Sequence, residues 1–427
     1  MAPLSRQGPR AMAALVLVLM PVSIPTNVGA QSVDTLRIEE VVEEVRSANP
    51  MLRAMRLRAQ AGAERVPQAG ALPDPVLSLG LMNRPVDNFG PDQAMTMNNV
   101  QWSQRLPWPG TRGFQRERES RLAESEALDA DEMESALIAR AKTAYYRRAQ
   151  MDRAIQIMDR TRSLLRDHQE VSTARYAVGA GLQQDILQAQ VAVARLTVDI
   201  ESVEQGRIAE VARLNALMGR EASQPLGLPV LDAPGEALPP IDQLIARAAQ
   251  RRPALQSAQR RVSAAAAGVR AAERQSYPDV TVTLGYAQRP RFDDLATLAV
   301  GMTVPIWAGS RQRPRQRERQ AVMAMEEARA LDLYNETYAD LAELRAKGER
   351  TRSLMDLYRT SIMPQARAAV ESALSAYRVG QVDYMTLLSN QMNVNRFEIE
   401  LLQLAADYQA ALAEIEALTG SLQGEGP

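Results

Sequence analysis

One unit is written twice along this chain, about two hundred residues apart, and it joins short alternating segments to very long helical ones. The stretch Pro73-Asp74-Pro75-Val76-Leu77-Ser78-Leu79-Gly80-Leu81-Met82-Asn83-Arg84-Pro85 returns as Pro278-Asp279-Val280-Thr281-Val282-Thr283-Leu284-Gly285-Tyr286-Ala287-Gln288-Arg289-Pro290, with Pro, Asp, Leu, Gly, Arg and Pro in register. Upstream, Asn49-Pro50-Met51-Leu52 is echoed by Arg252-Pro253-Ala254-Leu255. Downstream, Tyr176-Ala177-Val178-Gly179 is echoed by Tyr377-Arg378-Val379-Gly380, and Leu187 and Gln190 are answered by Leu388 and Gln391. Two copies of one supersecondary unit therefore organise the chain.

Ahead of the first copy, Arg6 and Arg10 precede an apolar run from Ala11 and the small-residue end Val28-Gly29-Ala30, the pattern of a secretory signal peptide over 1–30. Repeat one then occupies 31–223, a Pro- and Gly-rich linker 224–240, and repeat two 241–427. Within repeat one, strands are expected at about 74–84 and 96–106 and helices at about 36–70, 111–177 and 181–218. Repeat two gives strands at about 279–289 and 296–305 and helices at about 241–275, 312–378 and 382–419. The segment 111–177 has no proline and is dense in Ala, Leu, Glu, Arg and Gln. At 1.5 Å per residue it would run roughly 100 Å, the length of a coiled coil or a helical tube. Pro364 has no counterpart in the first copy, so the second long helix should bend there.

Alternation is the informative property of the strands. Leu77, Leu79 and Leu81 share one face against Val76, Ser78, Gly80 and Met82, and Val282, Leu284 and Tyr286 oppose Thr281, Thr283, Gly285 and Ala287. Large apolar residues on one side and small or polar ones on the other suit a membrane barrel with a lipid side and a lumen side. Four strands cannot close a barrel, and an open sheet in lipid leaves its edge groups unpaired, so this reading requires an oligomer. Trp102 falls within the second strand, and Trp108 and Trp307 lie just past the second and fourth, as interfacial aromatics would. The competing reading of the same alternation is a periplasmic β-sandwich with core tryptophans.

Other classes fare worse. There is no cysteine, hence no disulfide framework, thiolate site or lipid-bearing Cys. Charge is balanced, at 50 basic against 51 acidic residues with the signs interleaved, which disfavours nucleic acid as a partner. No phosphate-binding loop, metal-spaced His cluster or nucleophile motif appears, so neither an enzyme nor a resident cofactor is expected. The single histidine, His168, reads as a solvated helix residue. Met82, Met95 and Met97 gather around the first strand pair, where thioethers either fill space or suit soft cations such as Cu(I).

Together these residues resemble the outer membrane efflux protein family, the TolC-like channels of tripartite pumps. The likeness rests on the twofold strand-strand-helix-helix order, on Gln104-Arg105-Leu106-Pro107-Trp108-Pro109-Gly110-Thr111-Arg112 echoed by Val304-Pro305-Ile306-Trp307-Ala308-Gly309-Ser310-Arg311, and on the doubled Tyr-x-Val-Gly turn followed by Leu-x-x-Gln. The resemblance implies an α+β membrane protein: a homotrimer with a 12-stranded barrel in outer-membrane lipid, continued by a long periplasmic helical barrel. It also implies passive export of substrate delivered by a periplasmic adaptor and an inner-membrane pump of the resistance-nodulation-division type. The PWPG-type segment and PDP strand start are similar to those of members that accompany heavy-metal exporters; drugs, siderophores or secreted proteins are the alternative cargoes. A periplasmic hairpin adaptor or a coiled-coil scaffold is the alternative from another class.

By the same resemblance, Tyr176, Gly179, Leu187, Gln190, Tyr377, Gly380, Leu388 and Gln391 mark the periplasmic tip that meets the adaptor. Asp185, Tyr377, Asp383, Thr386 and Ser389 are candidates for the gate. Better-known members carry pore-constricting carboxylates where this chain has Thr386 and Ser389, and Val382 stands where a basic partner is expected. Stabilisation of a helix N-terminus is the other reading of Asp185 and Asp383.

Overall fold

Two Xaa-Pro steps set the pattern of the shorter helices. The computed structural model describes residues 35–87, 89–91, 93–231 and 237–420; the expected signal peptide, the middle of the linker and loop positions 88 and 92 lie outside them. β1 (Thr35–Leu36) leads into α1 (Ile38–Ala48) and α2 (Pro50–Gly70). The single helix expected over 36–70 is broken at Asn49, because a residue before proline is pushed toward extended backbone; Asn49 sits at φ −65°, ψ 122°. Its side-chain oxygen accepts from the N–H groups of Met51 and Leu52 at 2.9 and 3.1 Å, while Pro50 takes the first helical position, where no N–H is needed.

The first copy continues as β2 (Val76–Met82), β3 (Met97–Leu106), α3 (Thr111–Ala177) and α4 (Gln183–Leu217), followed by β4 (Leu228–Pro229). The second runs α5 (Ile241–Arg251), α6 (Pro253–Arg274), β5 (Val280–Gln288), β6 (Leu295–Met302), α7 (Gln312–Leu357), α8 (Met363–Arg378) and α9 (Tyr384–Thr419). Arg252 breaks the helix expected over 241–275 as Asn49 breaks the first, but it has no capping oxygen. Glu132 of α3 supplies one: a carboxylate oxygen accepts from the Ala254 N–H at 3.1 Å while the other holds the Arg252 guanidinium at 2.9 Å. Between α7 and α8 the helix widens into a π-turn over Tyr358–Ile362, with the Met363 N–H reaching the Tyr358 carbonyl. Pro364 brings no N–H to this ladder, and the wider turn is how the helix continues past it.

α3 is the spine of the molecule. Its first half packs between α2 and α6, with Arg65 on Glu126 and Arg261 on Asp129, each at 2.5 Å. Its second half packs between α4 and α9, with Lys142 on Glu416 and Arg160 on Glu398, again at 2.5 Å. The four flanking helices therefore meet in pairs along α3. Where α4 ends against the start of α2, Asn49 Nδ2 donates to the Leu217 carbonyl at 2.7 Å. Gly219, at φ +69°, passes so close to Ala48 that a Cβ would stand 2.7 Å from its carbonyl oxygen. Gly420, at φ +68°, passes Arg251 the same way, with 2.5 Å left for a Cβ. Both junctions need glycine for its left-handed backbone and for its missing side chain.

Apolar cores form at these junctions. Leu36, Val41, Val45, Leu52, Leu137 and Leu214 close the first, and Leu244, Ala248, Leu341 and Ile415 the second. In the first, the buried Tyr145 hydroxyl donates to the Leu36 carbonyl and accepts from the Val230 N–H, both at 2.9 Å, pinning β1 and the segment after β4 to α3. Tyr145→Phe keeps the ring but orphans two backbone groups. A loss of about 1–3 kcal/mol is expected, read as a lower thermal midpoint of the purified protein.

Candidate functional site

The two copies contribute to one sheet, in the order β2-β3-β5-β6 with every neighbour antiparallel. Reading across it gives rows of one chemistry. Leu77, Trp102, Leu284 and Leu298 form one row, and Leu79, Val100, Tyr286 and Ala296 the next on the same face. The opposite face carries Val76, Ser103, Thr283 and Ala299, then Ser78, Gln101, Gly285 and Thr297, then Gly80, Asn99, Ala287 and Leu295. Ser103 and Thr283 share a hydrogen bond at 3.0 Å on that polar side. Most of the apolar side is open: Leu79 is 76% exposed, Leu298 70% and Leu77 64%.

Covering a leucine side chain is worth about 1.5–3 kcal/mol, so a face of this size carries a drive on the order of 10 kcal/mol toward an apolar medium. A two-layer sandwich would bury the tryptophan-bearing face against a second sheet; here that face is open, which removes the sandwich reading. Among the described residues, the outer strands β2 and β6 have one neighbour each.

The tryptophans occupy different levels. Trp102 lies mid-strand in the apolar row, away from either end of the sheet. Trp108 stacks on Tyr277 with ring centroids 5.1 Å apart, its backbone N–H donating to Asp279 at 3.0 Å, while Trp307 is open on the surface. Met82 and Met97 are a cross-strand pair on the polar face, and Met95 is open in the adjoining loop.

At the far end, each helical hairpin turns through a glycine. Gly179 is at φ +73° and Gly380 at φ +76°. In each turn the glycine N–H bonds to the carbonyl three residues back and the next N–H to the carbonyl five back, the Schellman arrangement. Equivalent positions then diverge. Tyr176, Leu187 and Gln190 are exposed, whereas Tyr377, Leu388 and Gln391 are buried in the interface between the two hairpins. Leu388, though buried, also lines the groove between α4 and α9.

The gate candidates divide likewise. Asp383 caps α9, accepting from the Thr386 N–H at 2.9 Å and its hydroxyl at 2.6 Å, while Asp185 lies in the first turn of α4. Those hydrogen bonds hold the Asp383 carboxyl below the usual range, led by the Thr386 hydroxyl. The cap is therefore complete above the ordinary aspartate pKa and is lost as pH falls through the lowered value. Tyr384 is fully buried, and burial together with Tyr377 and Asp185 pushes its phenol up to about 12. Its hydroxyl has no partner among the described residues. Ser389 lines an apolar groove of about 820 Å³ between α4 and α9, with Leu187, Val191, Met385 and Met392.

The contact that sequence reasoning missed is Arg175 of α3. It donates to the Tyr377 carbonyl at 2.9 Å and to the Ala180 carbonyl at 3.2 Å, and lies over the Tyr377 ring at 4.6 Å. Ser172 shares a 3.4 Å hydrogen bond with the Tyr377 hydroxyl. A signal existed, because both residues break the repeat: the second copy has Ala373 and Ala376 at the matching positions. His168, expected to be solvated, is half-buried, and burial pushes its imidazole below the usual value.

Comparison with known proteins agrees with this architecture. The family described as Outer membrane efflux protein matches residues 41–220 and again residues 244–421. Protein CyaE of Bordetella pertussis is 26% identical over 358 residues, covering 77% of this chain and 74% of that protein. Among solved structures, CusC superposes with a TM-score of 0.79 at 14% identity, over 90% of this chain and 92% of that one. The outer-membrane channel OprN gives 0.77 at 18%, over 90% and 89%, and VceC of Vibrio cholerae 0.76 at 16%, over 90% and 96%.

Arg175→Ala should free the tip. With about 1 kcal/mol lost, amide exchange in the two glycine turns should quicken about fivefold. Tyr384→Phe, which deletes a buried hydroxyl without a partner, should leave exchange unchanged and raise the thermal midpoint.

Proposed function

The chain belongs to the outer membrane efflux protein family, and from that premise we propose that three copies close one twelve-stranded barrel in the outer membrane. A tube formed by their helical hairpins would continue it across the periplasm. The sheet carries this reading: one open apolar face, one small and polar face, and an unpaired strand at each edge. In lipid each unpaired edge group costs several kcal/mol, and the smallest closed membrane barrels have eight strands, so four strands need further copies. β6 of one copy pairs with β2 of the next, the apolar rows face lipid, and the Ser, Thr, Gln and Asn residues line the lumen.

In this assembly the protein is the passive exit duct of a tripartite efflux system, delivered to the periplasm by its signal peptide. The adaptor meets the exposed tip residues Tyr176, Gly179, Leu187, Gln190 and Gly380 and the groove between α4 and α9. Arg175 and Tyr377 hold the second hairpin to the first while the duct is shut. Energy comes from an inner-membrane pump of the resistance-nodulation-division type. The cargo we favour is heavy-metal cations, supported by the Met82 and Met97 thioethers on the lumen-side face with Met95 beside them.

The test is fractionation of expressing cells followed by the native mass of the detergent-extracted protein, expected in the outer membrane at three protomers. Leu79→Arg or Leu298→Arg should abolish that localisation, at a cost of about 2–4 kcal/mol at the lipid face, whereas Gln101→Arg on the polar face should be tolerated. A soluble periplasmic monomer would sink the barrel. For the cargo, a deletion strain should lose growth on copper or zinc salts; sensitivity to antibiotics alone would assign a drug duct instead.

A further inference from the structure

The helix-side end of the sheet is basic in a chain that is otherwise balanced. Arg311 precedes α7 at its N-cap and Arg313, Arg315, Arg317 and Arg319 follow in its first turns against Glu318, and the run Gln316-Arg317-Glu318-Arg319 repeats Gln115-Arg116-Glu117-Arg118 near the start of α3. Many arginines along the long helices are spent on carboxylates, as Arg270 is on Glu117 at 2.8 Å. Among the described residues, the side chains of Arg311 and Arg315 make neither a hydrogen bond nor an ion pair. They stand one helical turn apart and line a cleft of about 390 Å³ together with Tyr277, Val304, Ile306 and Trp307.

Two further observations give the cleft a direction and a chemistry. Leu298, Val300 and Met302 lie on the apolar face of β6, which ends at Met302, and the cleft gathers Val304 to Trp307 just beyond it with Pro73 before β2, Pro107 after β3 and Asp279 before β5, so it lies at the helix-side foot of the sheet. Val304, Ile306 and Trp307 are 63%, 73% and 71% exposed. The cleft's one carboxylate, Asp279, is already held by Arg105 at 2.5 Å and by the Trp108 backbone N–H at 3.0 Å, leaving Arg311 and Arg315 uncompensated. Thr111 also lines it; that residue is 4% exposed, and its hydroxyl has no partner among the described residues.

We infer that this cleft holds the headgroup of an anionic phospholipid from the leaflet nearest the helices, its phosphate between Arg311 and Arg315 and its first acyl carbons along Val304, Ile306 and Trp307. Guanidinium groups suit phosphate because their N–H donors form a planar fork, and tryptophan and tyrosine suit the boundary between headgroup and hydrocarbon. Two uncompensated cations favour a lipid with net negative charge over a zwitterionic one. The inference rests on the proposed barrel, since only a membrane-embedded sheet presents this cleft to a leaflet.

The experiment uses the full chain, extracted in detergent, stripped of lipid, and offered dioleoyl phosphatidylglycerol or dioleoyl phosphatidylcholine before native mass spectrometry. Wild type should retain phosphatidylglycerol preferentially, and the double variant Arg311→Gln with Arg315→Gln should retain about fivefold less, with phosphatidylcholine unchanged. Arg317→Gln, outside the cleft, should behave as wild type, and the paired Arg→Lys variant should recover part of the loss, which a folding defect would not show. Equal retention of phosphatidylglycerol by the double variant would overturn the inference. So would equal retention of both lipids by wild type, or displacement of phosphatidylglycerol by inorganic phosphate, which would make the cleft a plain anion site. Fractionation of the same variants keeps the two readings apart. Absence of wild type from the outer membrane removes the barrel, whereas correct localisation with unaltered lipid retention removes only the lipid cleft.

Discussion

Every backbone N–H and C=O that leaves water must find a partner, and a sheet of four strands with two free edges cannot satisfy that rule alone. Its apolar rows draw it out of water while its edges forbid it to enter lipid singly. In the barrel we propose, these opposed demands are met by further strands from other copies. They also explain why the duplicated unit is not two independent domains: β3 of the first copy is bonded to β5 of the second along nine residue pairs, so the copies share one surface from the start.

The helical part obeys a different constraint, that of packing two equal hairpins around one long helix. α3 serves both halves, flanked by α2 and α6 near the sheet and by α4 and α9 beyond them. The handover between flanking helices is tight in both copies, and glycine stands at each, with Ala48 or Arg251 pressed against it. Both return helices pack along α3, but α9 is enclosed between α3 and its own copy's α7 and α8, whereas α4 has α3 as its main neighbour. Equivalent residues thereby acquire unequal roles. Tyr176 and Leu187 are exposed, while Tyr377 is buried under the Arg175 guanidinium and Leu388 packs in the apolar core beside it.

Much of the local structure was legible before any coordinates, for reasons that are themselves local. Strand alternation depends only on neighbouring residues, so Leu77, Leu79 and Leu81 share a face in the sequence as they do in the sheet. The breaks at Asn49 and Arg252 also had a local signature in the following proline, yet a long run of helix formers around them hid it. The chemistry at those breaks was legible only in part. Asparagine announces its own cap, but the cap of the second copy comes from Glu132, more than a hundred residues away.

The sequence by itself determined the repeat, the lengths and periods of its elements, and the apolar and polar faces of its strands, because each follows from spacing along the chain. Tertiary structure alone decided which member of each repeated pair is buried and which is open. It also decided that Arg175 clasps Tyr377, and that Asp383 is occupied as a helix cap with Thr386. The physical reason is that the two copies are alike in sequence but pack against one shared helix, so equivalent residues meet different surroundings.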